Sequence, residues 1–291
     1  MQGGGVKQDE TETESRYFQS LLDEPRRSTR PSKPVKLRSP TPPKPVRWTE
    51  VNQIERWSHS VVYPPEGATR RVTVDFQDLE RLDEGELLND NIISFALRQA
   101  EENMAPEHKD KVHFFNSFFY EALTKKNGKK GFFYEAVQRW TKNKDLFNIP
   151  YIVVPINIDL HWFVAIICNL NTLARTPAIT IDDEEDNTEM LDNPTPAPPP
   201  PRKFDINAPT IISLDSLGLA HSGETRNLKD YINAEAESKR GMAVASKDLQ
   251  GMTAKGIPEQ TNFCDCGVYL VGYIQEFVKD PKKFVNKVLQ R

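Results

Sequence analysis

Apolar residues at Ile92, Ile93, Ala96, Leu97 and Ala100 recur three and four apart, a spacing that predicts a helix with one buried face. Asn89 or Asp90 can cap its start, and Pro106 closes it. Ahead of it, residues 71–76 alternate as a strand does and 78–82 form a short helical turn. After it the aromatic run 113–119 predicts core, 120–124 a helix end, and the lysine-rich KKNGKKG at 125–131 a turn. Residues 132–142 then predict a helix with Tyr134, Val137 and Trp140 facing inward.

From residue 151 the pattern changes. Residues 151–157 and 161–168 are β-branched and nearly continuously apolar, as strands covered on both faces are, and a tight turn around Asp159 separates them. Residues 209–215 predict a neighbouring strand, 225–237 an amphipathic helix with Leu228, Tyr231 and Ile232 inward, and 247–257 a return to the sheet. Beyond Gly267, the residues Leu270, Tyr273, Ile274 and Phe277 share a helical face, and Pro281 starts a last short helix. The fold class this predicts is α+β: a small mixed sheet flanked by helices.

Composition divides the chain. Of 22 prolines, nine precede Ala68 and eight lie between Thr176 and Ile211, so those stretches are the candidates for unpacked chain. The expected organisation is a disordered tail over 1–62 and a folded domain over 63–291, broken by a disordered acidic and proline-rich insertion at about 171–208. The net charge of −4 conceals a basic run in 25–47 and an acidic block at 182–186. The basic run suits a solvated linker, nuclear import or nucleic-acid binding, but without interleaved aromatics it does not suggest base stacking. Three cysteines form no disulfide framework. No apolar leader or membrane-length run is present, and the expectation is a soluble intracellular protein. Neither a phosphate-cradling glycine loop nor a metal-ligand spacing occurs, so no cofactor and no metal are expected.

The chemistry gathers around residues 257–270, IPEQTNFCDCGVYL. Cys266 falls at the first turn of the predicted helix, where the helix dipole and unpaired backbone N–H groups favour a thiolate. Its alternative is a buried core thiol. A nucleophile needs a base, and the base an orienting group. His161, opening a strand just after a turn, is the best-placed base; His59, His108, His113 and His221 suit solvated or structural places. Asp215 ends the strand beside it and is the candidate orienter, and Gln260 can add an N–H donor to that of Cys266 for a developing oxyanion.

Residues 260–267, His161 with Trp162, and Asp215 within LDSLG resemble the motifs of the SUMO-processing ubiquitin-like-protein proteases, the sentrin-specific peptidases. GELLNDNIISFAL at 85–97, HFFNSFFYEAL at 113–123 and VQRWTKNKDLF at 137–147 extend the resemblance over about 63–288. It implies a papain-like cysteine protease architecture with Cys266 as nucleophile at a helix N-terminus, His161 as acid and base, Asp215 as its orienter and Gln260 as an oxyanion donor. It also implies SUMO conjugates as substrates, Asp90 and Trp140 on the face receiving the modifier, and Trp162 as one wall of a narrow glycine channel. Many members carry Trp where this chain has Leu87, a departure that suggests a looser channel and resembles the branch that trims poly-SUMO chains. Cys264 is a neutral substitution, and Asp265 supports the loop. Ala178 to Ile181 followed by acids resembles a SUMO-interacting motif, with Ile179 and Ile181 as its apolar pair. The rival readings are a protease for another modifier, such as the one used in neddylation, a non-catalytic SUMO-binding module, and a chromatin factor acting through its basic tail.

Overall fold

The computed structural model describes residues 47–65, 70–175 and 204–290. Strands β1 (Val61–Tyr63) and β2 (Val72–Val74) form an antiparallel ribbon. The main sheet is built from β3 (Val112–Phe114), β6 (Tyr151–Ile158), β7 (His161–Cys168), β8 (Thr210–Leu214) and β9 (Gln250–Thr253), in that spatial order. The β6–β7 and β7–β8 pairs are antiparallel, whereas β3 and β9 add at the two edges in parallel.

Helices cover both faces of the sheet, which is why its central strands read as unbroken apolar runs. Side chains of successive strand residues point to opposite faces. Val153, Val164, Ile166 and Ile212 therefore pack with α1 (Asp90–Asn103), α4 (Cys266–Lys279) and α5 (Pro281–Leu289). Ile152, Val154, Phe163 and Ile211 pack on the other face with α2 (Phe119–Thr124) and α3 (Ser222–Arg240). The predicted apolar face of α1 is the buried one, and Asn89 caps it by accepting the N–H of Ile92 at 3.1 Å.

The turn between β6 and β7 has only two residues, since Ile158 pairs with His161. Asp159 and Leu160 take φ of 50° and 68°, the left-handed pair that a tight hairpin with the twist of its strands requires. A leucine in this region is uncommon, because its Cβ crowds the following carbonyl.

Several expectations are corrected. The folded part reaches back to residue 47, not 63: Trp48–Val51 is a helical turn, and buried Thr49 donates its N–H and hydroxyl to the Asp83 carboxylate at 3.2 and 3.0 Å. Trp57 packs edge-on against Phe76 at 5.0 Å. The expected disordered insertion at 171–208 is ordered at both ends. Leu170–Arg175 is a 3-10 turn, and Asn169 Nδ2 donates to the carbonyls of Ile206 at 2.9 Å and Ala208 at 3.2 Å. The turn expected of KKNGKKG is present and joins a hairpin, β4 (Lys125–Lys126) with β5 (Lys129–Lys130), because Asn127 and Gly128 accept the positive φ it demands. The helix expected over 132–142 is one turn, Tyr134–Val137, continued as 3-10 helix over Gln138–Thr141. No described helix is long and apolar enough to cross a membrane.

Candidate active site

Three elements meet at one end of the sheet: β7 starts with His161, β8 delivers Asp215 just past its last residue, and α4 starts with Cys266. His161 Nε2 lies 2.7 Å from Asp215 Oδ2. A carboxylate only accepts, so Nε2 carries the hydrogen and Nδ1 is left for the thiol. The Cys266 sulfur is buried, its thiol donating to the Leu160 carbonyl oxygen at 4.0 Å, and it feels the His161 imidazole and the backbone N–H groups of Trp162 and Gly267.

The charges follow from these contacts. The Asp215 hydrogen bond, followed by that of Cys266, raises His161 from 6.5 to about 9. Burial alone would raise the Cys266 thiol, but His161 and the two backbone donors outweigh it and hold the thiol below its ordinary value. Burial likewise opposes ionisation of Asp215, yet donors from His161, His221 and the Leu217 N–H hold its carboxyl far below the usual carboxylate range. These shifts all favour a thiolate–imidazolium pair backed by a carboxylate, an arrangement able to attack an acyl carbon and protonate the group that leaves.

The loop before α4 is tied internally. Asn262 accepts the N–H groups of Cys264 and Asp265 at 3.2 and 3.0 Å and donates to the Asp265 carboxylate at 2.7 Å, so Asp265 supports the loop as expected. Gln260 is held from three sides: its Oε1 takes the Ser216 hydroxyl at 2.5 Å, its Nε2 donates to Asn262 O at 2.6 Å, and its own N–H reaches Ser216 O at 2.9 Å. One N–H of its amide remains for an oxyanion.

Trp162 is 1% exposed and donates its indole N–H to Leu88 O at 2.8 Å. It therefore backs the cleft from within the core, and the open wall assigned to it by resemblance is not formed by its own surface here. Leu87, half-buried, packs against the same cluster, and Asp90 is the first residue of α1. Trp140 is 38% exposed on the 3-10 turn, 5.8 Å from the Phe119 ring. Ile179 and Ile181 lie outside the described residues.

Sequence reasoning missed His221. Its Nε2 lies 2.5 Å from Asp215 Oδ2, the oxygen that His161 also uses, and its ring stacks on Phe163 at 3.6 Å. The available signal was the short spacer after Asp215, where Gly218 at φ 66° turns the chain back toward the strand. His161, Asp215 and His221 also place ligand-type atoms within 4.8 Å of one another. Both histidines donate to the one carboxylate, which accounts for the cluster as a hydrogen-bond network. His59 is exposed, and buried His113 is drawn down to about 3 by desolvation and then by Lys144.

A model of the Ulp1 protease family, C-terminal catalytic domain, matches residues 86–289. The chain belongs to the Ulp1 protease family. Its papain-like α+β architecture is the one expected. Among relatives, ubiquitin-like-specific protease 2 of Schizosaccharomyces pombe is 36% identical over 238 residues, covering 79% of this chain and 36% of that protein. Sentrin-specific protease 7 of Homo sapiens is 31% identical over 278 residues, covering 80% of this chain and 26% of that protein. The chain spans about a third or less of the length of these curated relatives, 36% and 26%. A crystal structure described as that of the de-sumoylating protease superposes with a TM-score of 0.61 at 26% identity, covering 79% of this chain and 77% of that one.

Proposed function

We propose that this chain is the catalytic part of a SUMO isopeptidase that removes SUMO from lysines and trims poly-SUMO chains. The observation that carries it is the Cys266–His161–Asp215 assembly within an Ulp1-family domain. Relatives bearing the names sentrin-specific and ubiquitin-like-specific protease support the substrate class.

In this reading the Cys266 thiolate attacks the C-terminal glycine carbonyl of the modifier. The backbone N–H of Cys266 and the remaining amide N–H of Gln260 receive the oxyanion. His161 gives its Nδ1 proton to the departing lysine amine, leaving a thioester. Water then attacks, His161 takes its proton, and the thiolate leaves. Leu87, by the family resemblance, lines the channel for the modifier's glycines, which lack a Cβ, with Trp162 packed behind it. The modifier's body rests against Asp90 and Trp140.

Around the site, Phe263 is 94% exposed and Leu160 73%, with Leu217 and Leu219 also open to solvent. Such an apolar rim suits a protein substrate. Chain trimming draws on the resemblance at Leu87 and on Ile179 and Ile181 with their acids, which would add a strand to a second SUMO. The basic run of 25–47 fits nuclear residence, with nucleic acid as a further partner.

The test is a panel of electrophilic C-terminal probes of SUMO, of the neddylation modifier and of ubiquitin, offered to the full chain and to Cys266→Ala. Preferential labelling of Cys266 by the SUMO probe is expected. Equal labelling by all probes, or turnover by Cys266→Ala, defeats the proposal. Cleavage of poly-SUMO and mono-SUMO at rates that respond equally to Ile179→Ala with Ile181→Ala removes its chain-trimming part.

A further inference from the structure

Asp215 has a second histidine on its catalytic oxygen. Oδ2 receives His161 Nε2 at 2.7 Å and His221 Nε2 at 2.5 Å, while Oδ1 takes the Leu217 N–H at 2.6 Å. An orienting carboxylate held on Oδ2 only by the imidazole it must orient would have no independent reference on that side. His221 supplies one from a separate piece of chain. Its own ring is fixed: it is 8% exposed, lies parallel to Phe163 with centroids 3.6 Å apart, and has Glu224 Oε2 3.6 Å from its Nδ1. Phe163 is two residues from His161 on β7, so the two histidines are referenced to one strand.

We propose that His221 is a positioning residue for the acyl transfer, holding Asp215 through a hydrogen bond so that Cys266, His161, Asp215 and His221 form one aligned row. This rests on reading the site as a cysteine protease centre. The energetic reason is that hydrogen bonds to a buried ionised group are among the strong ones, and a lost donor leaves the carboxylate free to turn. The alternative is that His221 serves only as packing against Phe163, and the two roles use different parts of the ring. His221→Phe keeps the stack and removes the donor. His221→Gln loses the stack, but its amide N–H₂ falls near the place of Nε2.

In the full chain, His221→Phe is expected to lower kcat about tenfold on a SUMO C-terminal amide substrate, with KM within about twofold and little change in Tm. His221→Gln should recover most of kcat at a lower Tm. The reverse ranking, or full kcat in both, overturns the proposal. Proton NMR of the unmodified chain labelled at histidine supplies an arm that needs no substrate. Two downfield, slowly exchanging Nε2–H signals are expected from His161 and His221, and a single one overturns the proposal. If the wild type instead turns over a different modifier probe, the SUMO reading fails and kcat is taken on that probe.

Discussion

Gly267 sits so close beneath Leu88 that a Cβ built on it would stand 2.9 Å from the Leu88 Cβ. The contact lets the start of α4, with Cys266, press against the segment whose Leu88 carbonyl holds the Trp162 indole. Gly267→Ala should therefore push that segment away, lowering stability by about 1–3 kcal/mol and reducing kcat/KM. A thermal melt and a turnover assay check it; unchanged values would mean that Leu88 yields without moving the site.

The pH profile follows from His161. With its imidazolium stable to about 9 and the thiol held below its ordinary value, kcat/KM should fall on the basic side with a midpoint near 9. A raised folded-state value also means that this pairing stabilises the fold fully below about 6.5 and ceases to do so as pH rises through about 9. Asp215→Asn removes the largest cause of the rise. The basic limb should then move down toward the ordinary histidine value, and a limb that stays near 9 would show that Asp215 does not set it.

Phe263 touches so little of the folded chain that Phe263→Ser should leave Tm within about 1 °C, an effect typical of neutral surface changes. If the apolar rim meets the substrate, KM should rise several-fold with kcat preserved. Steady-state kinetics on a SUMO conjugate separates the two constants.

Glu235 carries a structural charge far from the chemistry. Wholly buried on α3, it accepts from Thr141 Oγ1 at 2.6 Å, Tyr134 Oη at 2.7 Å and Lys239 Nζ at 2.9 Å. Glu235→Gln places an amide N–H₂ where acceptors are needed and should lower unfolding stability by about 2 kcal/mol, read by denaturant titration, with the active site unaffected.

The elements legible in the sequence were those whose side chains alone decide the backbone. The apolar runs of β6 and β7, the Asn89 cap and the spaced apolar face of α4 needed no knowledge of the rest of the chain. The residues brought together at His161, Asp215 and Cys266 were legible because chemistry restricts which types work together. What escaped depends on contacts made across the fold. The tail residue Thr49 is fixed by Asp83, 34 positions away, and Trp140 is left on the surface where the expected helix becomes a 3-10 turn. Glu235 looks like an ordinary polar helix position until Thr141 and Tyr134 close over it. His221 could not be ranked above the other histidines without the stack on Phe163.

Asn169 bridges the exit from β7 and the re-entry toward β8 with one side-chain amide, bonded to the Ile206 and Ala208 carbonyls. The two strands that carry His161 and Asp215 are thereby joined at the root of the insertion, independently of what lies between residues 176 and 203. Substitutions in that segment, Ile179→Ala with Ile181→Ala among them, should therefore change what the enzyme grips without unseating His161 or Asp215.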